Sequence, residues 1–242
     1  MANSFTQRVN NTFDTAIQIG KAKINLQGKI QFDNVLIRDH KSDTLAHIAE
    51  IKLNLTELEN VLKGAYQFSS LDIIAPKMHI TTYAGEEATN LKLFIDKLNG
   101  GQKKKQSLVA SVGALRVHKG AVVYRNEEEI DRNLFSSIEL ALENLAFVEK
   151  DFTASLKSMS FQSSQIEDLK NLSGNIRFTP SKIEFSAFSL YSSLTQMQGA
   201  LTLNYTDFTT EALRSSASID LKIDSAVVAT SLLKLPKEVN LP

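Results

Sequence analysis

Between Lys21 and Phe32 the chain alternates without a break. Ala22, Ile24, Leu26, Gly28, Ile30 and Phe32 fall on even positions, Lys21, Lys23, Asn25, Gln27, Lys29 and Gln31 on odd ones. A two-residue period sends successive side chains to opposite sides of an extended strand, so this segment is a ribbon oily on one face and wet on the other. Similar stretches recur along most of the 242 residues, while helical patterns are few and short. Any fold for this chain must answer what covers so much one-sided apolar sheet.

Strand patterns run from Ile17 to Leu26, Lys29 to Arg38, Thr44 to Leu55, Tyr66 to Ile74 and Lys77 to Tyr83. Gly28 suits a turn or bulge, and at Asp33-Asn34 the apolar register shifts from even to odd, so that Val35 and Ile37 continue the face. Farther on, Leu115 and Val117 are expected to pair with Ala121 and Val123 around a turn at Gly120. Ile138, Leu140 and Leu142 form one alternating run, and Phe152, Ala154 and Leu156 another. Ile176 and Phe178 face Ile183 and Phe185 across Thr179–Lys182, a hairpin signal. Gly199 to Tyr205 and Ser218 to Asp224 complete the series.

Helical signals are fewer. Phe5, Val9, Phe13 and Ile17 recur every four residues, the stripe of an amphipathic helix over residues 1–18 that packs on a sheet edge or forms the tail of a membrane-anchoring helix. Thr56 and Glu59 have capping-box spacing ahead of Leu58, Val61 and Leu62, with Gly64 to end the turn. Asn90 suits the cap of a helix carrying Leu91, Phe94, Ile95 and Leu98. Thr209 to Arg214 and Ala226 to Leu235 are further short candidates. Residues 100–107, Gly-Gly-Gln-Lys-Lys-Lys-Gln-Ser, hold no apolar side chain and read as a flexible linker between a first β-module, 19–99, and a continuing one, 108–242.

A sheet with one apolar face must be covered by helices, by another sheet or by a ligand. The helices here are too few. Without a regular strand–helix–strand rhythm the doubly wound parallel fold is excluded, and the pattern by itself favours the dry core of a closed two-sheet β-sandwich.

Charge and chemistry narrow the function. Lys+Arg and Asp+Glu are 27 each, so no net field draws the chain to nucleic acid. There is no cysteine, which removes disulfides, thiolate metal sites and cysteine nucleophiles. No apolar run approaches the roughly 18–20 residues of a membrane span, and no signal peptide opens the chain. The abrupt start at Met1-Ala2-Asn3 and the end at Pro236–Pro242 are those expected of a fragment. His40, His47, His79 and His118 lack metal-ligand spacing, and His40 and His79 are expected in solvent. The acidic run Glu127–Asp131 lacks the ligand alternation and central glycine of a calcium loop and reads as a solvated turn. Neither a nucleophile elbow nor a phosphate-binding glycine loop is present. The chain therefore reads as a non-enzyme with no catalytic residues, metal or cofactor.

The order of these segments resembles a known family. Ile17 to Leu26 runs into Gly28 to Asp39, then Asp43-Thr-Leu45, Ile51 to Leu55, the Leu58–Leu62 helix, Phe68 to Ile73, Tyr83, Gly85-Glu-Glu and Thr89-Asn-Leu91. This series is similar to the amino-terminal region of the TamB members of the AsmA-like proteins of diderm bacterial envelopes. The likeness covers residues 5–98 well and the remainder loosely, through the order of several weak motifs.

The resemblance implies a mainly β protein with a few short helices: an elongated, curved antiparallel sheet folded into an open trough, a β-taco. It implies a periplasmic location, anchored in the inner membrane by an amino-terminal helix, and an apolar interior that carries phospholipid acyl chains towards the outer membrane. It further implies an outer-membrane barrel partner of the BamA type, engaged through a carboxyl-terminal region. This chain has neither a membrane span nor that region. The expected lining of the groove is Ile24, Leu26, Ile30, Phe32, Val35, Ile37, Leu53, Leu55, Leu71, Ile73, Met78 and Ile80. The alternative role is a protein-interaction or chaperone-like scaffold for barrel assembly or secretion, using open sheet edges.

Overall fold

The computed structural model describes residues 10, 15–25, 28–56, 66–100, 109–128, 132–148, 151–206 and 217–229. Within them lie strands β1 (Ala16–Ile24), β2 (Lys29–Arg38), β3 (Thr44–Leu55), β4 (Tyr66–Ile74) and β5 (Lys77–Thr82), then helix α1 (Asn90–Gly100). The later strands are β6 (Val109–Asn126), β7 (Arg132–Val148), β8 (Asp151–Ser163), β9 (Leu169–Thr179), β10 (Lys182–Ser192), β11 (Thr195–Asn204) and β12 (Ser218–Val228).

All twelve strands belong to one long curved sheet in the order β1-β2-β3-β4-β6-β7-β8-β9-β10-β11-β12, with β5 beside β3 and β6. The sheet does not close into a barrel, and no second sheet faces it among the described residues. The sandwich expected from the pattern alone is therefore not formed. Strands from both expected modules share this one sheet, because β4 and β5 pair with β6.

Most neighbours are antiparallel hairpins, but β6 lies parallel to β4 and β5. A parallel pair needs a crossover of a dozen or more residues, and the segment containing α1 supplies it. α1 packs against β5. Asn90 does not cap it as expected. The Thr89 hydroxyl accepts the Lys92 N–H (3.2 Å), while Asn90, 1% exposed, is turned into the protein.

β4 and β5 act as one kinked strand. Ala75 has φ 48°, its N–H donates to the His118 carbonyl (2.8 Å), and the Pro76 carbonyl accepts from Ala121 N–H (2.8 Å). Pro76 has no N–H to give, so it sits where the ladder is already interrupted.

Three further expectations are corrected. Gly120 is not a hairpin turn: β6 runs unbroken from Val109 to Asn126, and the register with β7 shifts on both sides of Gly120. The bulge is made by Lys119 (φ 54°), and a Cβ on Gly120 would press on Ile138 Cβ at 3.1 Å inside the long strand. Ala16–Gln18 begin β1 rather than ending a helix, because Ile17 and Ile19 pair with Ile37 and Val35. Ala226–Val228 end β12 rather than starting a helix, held by pairing with Met197 and Thr195. The helix signals at 56–64 and 209–214, the 101–107 linker, residues 230–235 and most of 1–15 lie outside the described residues.

Positive-φ residues recur where the apolar pattern changes parity. Asn34 (φ 54°) lies between Phe32 and Val35, Lys119 (54°) between Val117 and Val122, Ser137 (51°) between Phe135 and Ile138, and Asn144 (53°) between Leu142 and Leu145. Ala187 (49°) lies between Phe185 and Phe188, whose rings stack at 5.6 Å and 15° and so share a face despite their odd spacing. A left-handed residue resets the alternation and bends the strand, which keeps the apolar side chains on one face of a creased sheet.

Candidate functional site

Cross-strand pairing assembles the apolar positions into rows. One row reads Ile24–Ile30–Leu53–Leu71–Leu115–Leu142–Leu156, crossing seven strands with no polar member. Beside it runs Ala22–Phe32–Ile51–Ile73–Val117–Leu140–Met159 over the same strands. Beyond the crease, Ile17–Ile37–Ala46–Met78–Val122–Phe135 forms a third. Towards the other edge, Ala154–Ile176–Phe185–Leu201–Leu221 and Phe152–Phe178–Ile183–Leu203–Ile219 continue the surface to β12. Eleven strands at the usual spacing of about 4.8 Å carry this apolar face over roughly 48 Å.

The alternate positions are polar. Lys23–Gln31–Lys52–Asp72–Arg116 is one such row, and Thr153–Arg177–Glu184–Thr202–Asp220 another. A depression of about 490 Å³ is lined by Lys23, Lys29, Lys52 and Asp72 among others. Three of those charges are already matched: Lys23 by Asp33 (3.4 Å), Lys52 by Glu50 (2.9 Å) and Asp72 by Arg116 (3.7 Å). It therefore offers no concentrated field to an ionic ligand.

The eleven described lining residues all enter these rows or their neighbours. Ile24, at the β1 edge, is 61% exposed, whereas Val35, in the pair series Ile19–Val35–Ile48, is 6% exposed. Ile30, Phe32, Ile37, Leu53, Leu55, Leu71, Ile73, Met78 and Ile80 are half-buried. Leu55 heads the short row Leu55–Phe68–Val112–Leu145, and Ile80 pairs with Tyr124. Leu26 lies outside the described residues. Side chains sealed between two sheets lose almost all exposure; here the apolar rows stay open over most of their length.

Full burial is confined to a few points. Leu45 (1% exposed), Ala46, Leu145, Ala154, Leu156, Leu169, Phe188 and Tyr205 are buried. The expected lining omits the part of the face that runs from β6 to β12. The signals for it are the parity slips Leu142/Leu145 and Phe185/Phe188, together with the glycine at 174. A Cβ on Gly174 would meet the Phe185 ring at 2.7 Å, so the glycine makes room for that ring where the two strands bulge.

A polar cluster lies at the α1 end of the sheet, where the β2–β3 turn meets the chain after β5. Asp39, 8% exposed, accepts hydrogen bonds from the Tyr83 hydroxyl (2.7 Å), Asn90 Nδ2 (2.8 Å) and the Lys41 and Asp43 N–H groups (2.9 and 3.0 Å). Burial would raise its pKa, but these donors outweigh it and hold the carboxyl below its usual range. The Tyr83 phenol is pushed well above its ordinary value by burial and by the Asp39 and Asp43 carboxylates. Asn90 also donates to the His79 carbonyl (3.0 Å) and accepts from Thr81 N–H (2.9 Å).

His40 is exposed in the β2–β3 turn as expected, and its Nε2 also lies 2.9 Å from Glu86, which pairs with Lys41 at 2.9 Å. The partner is remote in sequence, so no local motif reveals it. His118 likewise meets Glu139 at 2.9 Å, and His79 is exposed. Among the described residues no group of three His, Cys, Asp or Glu is placed to hold a metal, and no helix is long and apolar enough to cross a membrane. The bonds of the Asp39 cluster latch turn, strand and helix together.

No protein-family model matches the chain, and no curated protein matches it.

Proposed function

We propose that this chain is a segment of a passive lipid conduit, whose apolar face is covered by phospholipid acyl chains rather than by protein. The observation that carries this reading is the half-buried apolar ladder from Ile24 to Leu156, continued to β12, with no covering layer among the described residues. Exposed apolar surface costs about 25 cal/mol per Å², and large contiguous patches mark binding surfaces. An acyl chain gains about 0.8 kcal/mol per buried CH₂, makes no directional demand, and can slide from one row to the next at little cost. No cofactor or chemical step is needed. The family resemblance supports a periplasmic setting in a diderm envelope, with anchorage at the inner membrane and a role in outer-membrane biogenesis. On the same basis the distal partner is a barrel of the BamA type.

The test is mass spectrometry of lipids carried by the purified chain, joined to photo-crosslinking from Ile30, Leu71 and Leu142. Copurifying phospholipid and lipid adducts at all three positions are expected. A lipid-free protein whose crosslinks are all to polypeptide would overturn the reading.

A second reading, a scaffold for other proteins, draws on β12, which no second strand flanks among the described residues and which could take an incoming strand. Protein adducts confined to β12, with a clean interior, would favour it.

A further inference from the structure

We infer that the recess where α1 meets the start of β1 and the end of β2 is an anion site, in which the Arg38 guanidinium takes the phosphate group of a phosphorylated ligand. The inference stands whether or not the apolar face carries lipid.

The recess measures about 180 Å³. Ala16 and Arg38, opposed in the β1–β2 ladder, form one side of it, and Leu93, Phe94 and Lys97 of α1 form the other. Arg38 is half-buried, and its one hydrogen bond runs from Nη1 to the Ser42 carbonyl (2.9 Å). No carboxylate lies within ion-pair distance of it among the described residues. The contrast with three other arginines is direct. Arg116, Arg125 and Arg177 are exposed, and each meets a carboxylate: Asp72 at 3.7 Å, Glu127 at 2.8 Å and Asp151 at 3.4 Å. The less solvated cation is the one without a counter-charge.

Withdrawing a cation from water costs free energy that an opposite charge offsets. A guanidinium carries five N–H donors in a planar fork that fits two phosphate oxygens at once, and the Ser42 bond uses one of them. The nearby charges leave that role open. Asp39 also lines the recess, but its two oxygens already accept from Tyr83, Asn90 and the Lys41 and Asp43 N–H groups. His40 is turned to Glu86, which Lys41 shares. The lining thus sets two permanent cations, Arg38 and Lys97, against one carboxylate. Ala16, Leu93 and Phe94 place apolar surface beside the guanidinium, which suits a phosphate that carries an organic group.

Two probes separate the sources of that phosphate. Inorganic phosphate is titrated against the full chain by calorimetry at constant ionic strength. Sedimentation with vesicles compares phosphatidylcholine alone with phosphatidylcholine mixed with phosphatidic acid in equal parts. The variants are Arg38→Gln, Arg38→Lys and, as a control cation elsewhere on the sheet, Arg116→Gln, each checked by circular dichroism. Saturable phosphate binding is expected, weakened about tenfold or more by Arg38→Gln and less by Arg38→Lys, because the lost bonds are charge-assisted. Arg116→Gln should bind as the native chain does. Phosphate should also raise the thermal midpoint of the native chain and not that of Arg38→Gln, a difference that loss of the Ser42 bond alone does not produce. Capture by phosphatidic acid vesicles that depends on Arg38 assigns the phosphate to a lipid headgroup; phosphate binding without such capture assigns it to a soluble ligand. Folded Arg38→Gln that binds both probes as the native chain does, or a native chain that binds neither, would overturn the inference.

Discussion

The hydroxyl of Tyr83 donates a 2.7 Å hydrogen bond to Asp39 Oδ2, joining the β2–β3 turn to the chain that leaves β5, 44 residues later. The same oxygen accepts from Asn90 at the start of α1. One carboxylate thus ties together a turn, a strand end and the helix that begins the parallel crossover. Tyr83→Phe removes the donor and leaves a buried charge short of a partner. A loss of about 1–3 kcal/mol in unfolding free energy is expected in urea. Asn90→Ala removes three bonds at a site 1% exposed and is expected to cost more than Tyr83→Phe.

This cluster sets a pH dependence at both ends of the scale. Asp39 has a folded pKa below its unfolded value, so its stabilisation is complete above the ordinary carboxylate range and is lost as pH falls through the folded pKa. Tyr83 has a folded pKa above its unfolded value, so its contribution is complete below about pH 10 and is lost as pH rises through the folded pKa. Urea midpoints measured across pH should fall below about pH 4 in the native protein, and less so in Tyr83→Phe. A phenolate absorbance titration should show the Tyr83 and Tyr205 phenols, both raised by burial, ionising later than in the unfolded chain, with Tyr83 last.

Much of the β-architecture is legible in the chain because alternation and turn residues act locally. β2, β3 and β4 begin and end where the patterns Lys29–Arg38, Thr44–Leu55 and Tyr66–Ile74 do, and the Thr179–Lys182 hairpin pairs Ile176 and Phe178 with Phe185 and Ile183. What escapes is non-local or hidden in parity. Gly120 looks like a turn because glycine favours turns and bulges alike; only the long pairing of β6 with β7 separates them. The parallel β4–β6 pairing joins residues about 44 apart and leaves no mark in either strand's pattern. His40 with Glu86 and Tyr83 with Asp39 are likewise brought together by the fold rather than by spacing. The expected groove lining stops at Ile80 because the likeness that implies it is strong only over residues 5–98. Left-handed residues reset the count on both halves of the face, at Asn34 as at Asn144 and Ala187, and runs as regular as Phe152–Ala154–Leu156 carry it past Leu142.

Gly174 leaves no room for a side chain. It has φ 150°, and a side chain there would meet Phe185 Cε2 at 2.7 Å and Phe188 Cα at 3.0 Å. The stacked Phe185–Phe188 pair would have to move, and Phe188 is 6% exposed. Gly174→Ala is expected to destabilise by about 1–3 kcal/mol, the usual cost of overpacking a filled site. The check is thermal unfolding, with near-ultraviolet circular dichroism to follow the phenylalanine environment. Gly85→Ala is the control, since a Cβ there meets nothing within 4 Å although its φ of 77° still carries a backbone cost.

An open apolar face and a sealed core respond differently to an introduced charge. Ile30 is half-buried in the Ile24–Leu156 row, whereas Leu156, at the far end of the same row, is 5% exposed. Ile30→Asp forfeits about 1 kcal/mol of apolar burial, and its carboxylate can still reach water. Leu156→Asp must strip a carboxylate of its solvent in a filled site, which exceeds about 4 kcal/mol and is expected to unfold the strands around β8. The proposed conduit therefore predicts a split. Ile30→Asp should keep native circular dichroism while its lipid-to-protein ratio falls several-fold, and Leu156→Asp should lose fold and lipid together. If Ile30→Asp unfolds as Leu156→Asp does, Ile30 belongs to a closed core and the lipid-facing role of the row is wrong.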